Sequence, residues 1–134
     1  ARLPVAAGLE LWLDAARASG TTPPPHDGKL ETWFDASGKG RHVRQPNPAA
    51  RPTRLPAGRS AVVRFDGLDD HLRAVEQRTT LDAFTVFVAA VPRQNPGGFR
   101  GVLAFNAADQ RDYESGLCLD FGPNPSARFA EFNV

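Results

Sequence analysis

The densest chemistry in the chain is Asp66-Gly67-Leu68-Asp69-Asp70, three carboxylates within five positions. Calcium binds clustered carboxylate and carbonyl oxygens in loops. Asp66, Asp69 and Asp70 are therefore the candidate metal ligands, with Asp14 or Asp35 able to join from neighbouring loops. The same residues also suit a turn without any ion. Asp-Gly bends the chain tightly, and aspartate oxygens accept nearby backbone N–H groups. The turn is the expectation, and calcium is the one cofactor left open.

Other reactive side chains point less far. Ser37 lies in no Gly-x-Ser-x-Gly elbow. Cys118 stands between Leu117 and Leu119 and reads as a small buried hydrophobe. Gly38-Lys39-Gly40 lacks the length of a phosphate loop and the Ser or Thr after its lysine. His26, His42 and His71 have no metal-ligand spacing. A retaining glycosidase needs carboxyl groups about 5 Å apart. Glu31 and Asp35 are wrongly spaced for that, and Asp112 with Glu114 sits in a polar loop that reads as a solvated turn. No catalytic residue is expected. Trp12 and Trp33 could stack on sugar rings, but Trp12 lies between Leu11 and Leu13 and Trp33 precedes Phe34, so packing is the expected role.

Charge is unevenly placed. Residues 36 to 65 contain no acid and seven cations, Lys39, Arg41, Arg44, Arg51, Arg54, Arg59 and Arg64, which leaves −6 on the remainder of a chain whose total is +1. That total excludes a globally basic nucleic-acid binder. The basic stretch is either a surface for an anionic polymer, with Arg41 and Arg44 as ligand candidates, or a loop folded back over Asp66–Asp70. The second is the expectation, because charge runs are usually solvated faces. One cysteine excludes an intrachain disulfide and a multi-cysteine metal cluster. The longest apolar run, Phe84–Val91, has eight residues, well short of the ~18 of a membrane helix, so membrane insertion is not expected.

The elements that must position these groups read as short strands between turns. Twelve glycines and twelve prolines leave little room for long helices. Leu9–Leu13 alternates as a half-buried strand, and Asp14 caps a short turn over Ala15–Ala18. Pro23-Pro24-Pro25 is extended, Asp27-Gly28 a turn, Leu30–Phe34 a weak strand, and Asp35–Gly40 a loop. Pro46, Pro48, Pro52 and Pro56 allow only edge pairing between Val43 and Gly58. Strands are then expected at Ala61–Phe65, His71–Val75, Phe84–Val91, Gly101–Phe105, Gly116–Phe121 and Arg128–Phe132, with Phe84–Val91 mid-sheet. Leu11, Leu13, Val63, Phe65, Phe84, Val86, Val88, Val102, Leu103, Leu117 and Leu119 are the expected core. The spacing is that of an all-β antiparallel sandwich or barrel.

Five segments occur in a fixed order: Gly8–Ala15 (GLELWLDA), Trp33–His42 (WFDASGKGRH), Arg51-Pro52-Thr53, Val63–Leu72 (VRFDGLDDHL) and Phe84–Val88 (FTVFV). Together they resemble the laminin-G-like members of the concanavalin A-like lectin/glucanase superfamily, across residues 8 to about 121. The resemblance implies a jelly-roll β-sandwich. It further implies a non-catalytic binding or adhesion module of a larger exported or cell-surface bacterial protein. Its partners would be a glycan or protein ligand and other domains of the same polypeptide, not nucleic acid. Some relatives bind calcium, and the glucanases carry a Glu-x-Asp-x-Glu strand, whereas no Glu here is followed two residues later by Asp. On this reading residues 1–134 form one incomplete domain containing a basic, proline-rich loop at 36–60, with the last strands expected beyond Val134. The alternative is a fragment of a glycoside hydrolase whose catalytic strand lies beyond residue 134, and a structural spacer is the third class.

Overall fold

The computed structural model describes residues 7–20, 28–74, 80–107, 109–111, 114–125 and 131–133. The chain is all-β in class. Its strands pair antiparallel, and no described helix exceeds the three residues of the 3-10 turns Ala15–Arg17 and Pro48–Ala50. It divides into two compact units, Ala1–Thr79 and Thr80–Val134.

In the first unit, β1 (Thr32–Trp33) pairs with β2 (Val43–Arg44), and β3 (Thr53–Ala57) pairs with β4 (Ser60–Arg64). The β3–β4 hairpin closes through Gly58 and Arg59, with Gly58 at φ +59°, a conformation open to glycine. Pro56 belongs to β3 without breaking it. A two-stranded ribbon leaves one edge of each strand unpaired, and a residue without an N–H can face that edge. Single bridges extend both ladders: Leu13 opposite Asp35, Lys29 opposite Thr53, and Arg44 opposite Arg73. Asp14 caps Ala15–Arg17 as its position predicts, its side chain accepting from Ala16 N–H. Ala18, Leu30, Ala50, Pro52 and Ala61 are the buried apolar residues of this unit.

In the second unit, β5 (Gly101–Phe105), β6 (Leu117–Asp120) and β7 (Glu131–Asn133) form one sheet in that order. Cys118 and Leu119 are buried in β6, the former as its neighbours predict. Asn95 is buried too, its amide donating to the Phe121 carbonyl (2.9 Å) and its Oδ1 accepting from Gly97 N–H (2.9 Å), which fixes the expected Pro96-Gly97-Gly98 turn.

Several expectations need correction. Leu9–Leu13 contributes only the Leu13 bridge, and His71–Val75 only the Arg73 bridge; Val75, Pro23–Pro25, Asp27, His26, Asp112 and residues 128–130 lie outside the described residues. Phe84–Val91 joins no strand. Phe84, Val86, Phe87, Val88 and Val91 are exposed, Phe87 at 93%, and Phe65 is exposed as well. An apolar run records a demand for cover on both faces and a partner on both edges; among the described residues no strand pairs with it, and the Phe105 ring meets Phe84 edge-on at 6.3 Å without burying it. Of the expected core, Leu119 is buried, while Leu11, Leu13, Val63, Val102, Leu103 and Leu117 are only half-buried. The core is built largely from smaller residues than expected.

Candidate functional site

Two aspartate-centred loops and two cross-strand rows organise the first unit. Asp66 makes the first loop. Its Oδ1 accepts from the N–H groups of Leu68 (2.8 Å), Asp69 (3.3 Å) and Asp70 (3.3 Å), while Asp70 Oδ2 accepts from Asp66 N–H (3.0 Å). Gly67 supplies the φ of +80° that the bend requires. The Leu68 N–H above all, then those of Asp70 and Asp69 and the Lys29 charge, hold the Asp66 carboxyl below the usual range, against a smaller upward push from desolvation.

Asp66, Asp69 and Asp70 do converge, one oxygen from each lying within 4.8 Å of the others. They are not a bare carboxylate cage, however. The Asp70 side chain is only 2% exposed, its Oδ1 makes no hydrogen bond, and Lys29 Nζ stands 3.9 Å away. An ammonium group thus occupies the approach to one of the three acids, and three N–H groups occupy an oxygen of another. The loop is stabilised from within the chain.

Beside it lies a depression of about 190 Å³ lined by Lys29, Thr53, Leu55, Arg64, Asp66 and Asp70. The register explains this grouping. Lys29 faces Thr53, and Thr53 faces Arg64, so one row across three segments sets two cations beside the acidic turn. The expected pairing of the basic stretch with the turn is not found: among the described residues no cation of 36–65 makes an ion pair with Asp66, Asp69 or Asp70. The pair on the turn is Lys29 with Asp70, from outside the stretch, and Arg64 only lines the depression.

The remaining cations of the stretch go elsewhere. Arg41 donates to the Glu10 carbonyl (2.8 Å) and to the Glu10 carboxylate, with Lys39 Nζ 3.7 Å from the same side chain. The Arg41 hydrogen bond is the chief reason the Glu10 carboxyl lies below its usual range. Arg51 pairs with Glu31 at 2.6 Å and donates to the Gln45 and Pro46 carbonyls, and Arg54 donates to the Ala15 carbonyl. Of the four ligand candidates, Arg41 is thus engaged internally and Arg44 is exposed. Trp12 has Arg17 over its ring at 4.7 Å, and Trp33 is half-buried in β1.

Asp35 makes the second loop. It is buried, and its carboxylate accepts four hydrogen bonds: Trp12 N–H (3.0 Å), Ser37 N–H (2.8 Å), Ser37 hydroxyl (2.7 Å) and Arg41 N–H (3.0 Å). Burial pushes its carboxyl up, but the Ser37 hydroxyl and the N–H groups outweigh burial and hold it below the usual range. Its own N–H donates to His42 Nδ1 (3.0 Å), whose ring packs edge-on against Phe34.

Sequence reasoning gave Lys29 and Arg73 no role, and placed Glu10 and Thr53 only within the ordered segments of the resemblance. Their importance follows from long-range register, for which the sequence offers no local signal. No protein-family model, curated protein or solved structure matches the chain.

Proposed function

We propose that this chain is a non-catalytic binding module with the laminin-G-like jelly roll implied by its ordered segments, belonging to a larger exported or cell-surface bacterial protein. The observation that carries the reading is how the acids of those segments are used. Asp14 caps a turn, Asp35 accepts four hydrogen bonds and Asp66 accepts three, each oriented toward the chain's own backbone or Ser37. A carboxylate acting as nucleophile or general base must keep a lone pair directed at substrate, and one held by several N–H groups at a lowered pKa is poorly suited to either role. Acids that set loops, with cations and hydroxyls presented between them, suit recognition.

The test is retention on immobilised polysaccharides, with assay of the eluate for newly formed reducing ends. Retention without new reducing ends is expected. Release of reducing sugar would favour the hydrolase, and no retention on any polysaccharide or protein matrix would favour the spacer.

A further inference from the structure

We infer that the depression beside the acidic turn is a binding site for a small aliphatic zwitterion, a molecule with one ammonium and one oxyanion on a short carbon frame, such as a free aliphatic amino acid. The inference goes beyond the binding-module reading and does not depend on it. Thr53 and Arg64 are cross-strand partners, and Leu55 lies two residues along β3. A hydroxyl, a guanidinium and an isobutyl group therefore share one face of the hairpin. Lys29 joins the row opposite Thr53, and Asp66 and Asp70 complete the lining. The space enclosed is about 190 Å³. That is far above the ~10–15 Å³ one water needs and below the ~300–1,000 Å³ of sites for drug-sized ligands, so a small molecule matches it.

The polar groups of this lining are only partly used. Asp66 Oδ1 is taken by three backbone N–H groups, whereas Asp66 Oδ2 accepts no hydrogen bond from the described residues. Arg64 is exposed, and neither its guanidinium nor the Thr53 hydroxyl meets a partner among the described residues. Arg64 and the two acids thus line one depression without forming an ion pair. Asp70 is the buried member. Its Oδ1 makes no hydrogen bond, and Lys29 Nζ stops 3.9 Å short of it while donating to the Arg51 carbonyl at 2.8 Å.

Charge selects the ligand. Lys29 and Asp70 offset each other, which leaves Arg64 and Asp66 as opposite poles of one small site. A purely anionic ligand meets Asp66 and Asp70, and a purely cationic one meets Arg64 and Lys29, each at a cost in like-charge repulsion. A molecule carrying both charges answers both poles. Its oxyanion, seated on Arg64 and the Thr53 hydroxyl, gains charge-assisted hydrogen bonds. Its ammonium does the same at Asp66 Oδ2 and brings positive charge toward the unsatisfied Asp70 oxygen. The carbon frame between them covers Leu55, which is half-buried.

The experiment follows backbone amide shifts of the whole chain by NMR during titration with L-leucine and with phosphoethanolamine, whose oxyanions are a carboxylate and a phosphate. Isocaproate and isoamylamine, which are leucine without its ammonium and without its carboxylate, form the single-charge arms. Saturable shifts at Thr53, Leu55 and Arg64 are expected with a zwitterion, and the tighter of the two identifies the oxyanion. Each single-charge arm should bind about tenfold more weakly. Arg64→Gln should lower zwitterion affinity about tenfold, as should Asp66→Asn, which keeps the Oδ1 acceptor of the loop. Arg59→Gln, at the hairpin tip outside the depression, should change nothing. No saturable shift with either zwitterion would show that the depression holds water only and would overturn the inference. Binding of a single-charge arm as tight as that of leucine would overturn it too, as would unchanged affinity in Arg64→Gln and Asp66→Asn.

Discussion

The Asp35 and Asp66 loops use the same device, a carboxylate folded onto nearby N–H groups, yet hold different amounts of structure. The partners of Asp35 include Trp12 and Arg41, so its carboxylate ties the first described segment to β1 and to the residues leading into β2. The partners of Asp66 all lie within four residues of it, and these hydrogen bonds are at the surface. One aspartate closes the fold, and the other shapes a loop. The difference lies in contact range and burial, not in hydrogen-bond number.

Replacing Asp35 should test that contrast most strongly. Asp35→Ala leaves the Trp12, Ser37 and Arg41 N–H groups without their acceptor at a buried site. A loss of about 3–5 kcal/mol is expected in urea unfolding. A loss below about 1 kcal/mol would show that water replaces the carboxylate at little cost.

Acid should produce the next largest effect. The Asp35, Asp66 and Glu10 carboxyls all lie below their ordinary values in the folded chain, so the folded state binds fewer protons than the unfolded state as pH falls. Their stabilisation is fully present above the unfolded carboxylate range, near pH ~4, and is lost as pH falls through the lowered values. The urea midpoint should stay level down to about pH 5 and then drop. The drop should be shallower in Asp35→Ala than in wild type, and an identical slope would remove Asp35 from the account.

Asp66→Ala should do less. Faster amide exchange is expected at Leu68, Asp69 and Asp70, with an unfolding midpoint close to wild type. A midpoint shift as large as that of Asp35→Ala would erase the distinction between the two loops.

The smallest expected effect is none at all. Calorimetric titration with calcium should be flat, because Lys29 and the loop's own N–H groups already face these acids. Heat of binding that disappears in Asp69→Ala and Asp70→Ala would reverse the assignment of the loop.

What could be read directly from the residues was local. Asp14 announced its cap, Asp66-Gly67 its bend, Gly101–Phe105 its strand in full, and Cys118 its burial. What could not be read was register. Arg44 and Arg73 are 29 positions apart, and nothing between them states that their backbones exchange hydrogen bonds. The same holds for Lys29, Thr53 and Arg64, whose alignment gathers the depression. Phe84–Val91 failed differently: its composition correctly described an appetite for burial, but burial also depends on neighbours elsewhere in the chain.

That segment has a colloidal consequence. Phe87 and Val91 are 93% and 89% exposed within a run holding no internal charge and no proline. Sequences of this kind stack readily on copies of themselves when left uncovered. Purified alone, the chain should scatter light increasingly with concentration and temperature, and a lysine at Phe87 should act as a gatekeeper against that growth. Its shelf life in solution would then be set by eight residues remote in sequence from both aspartate loops.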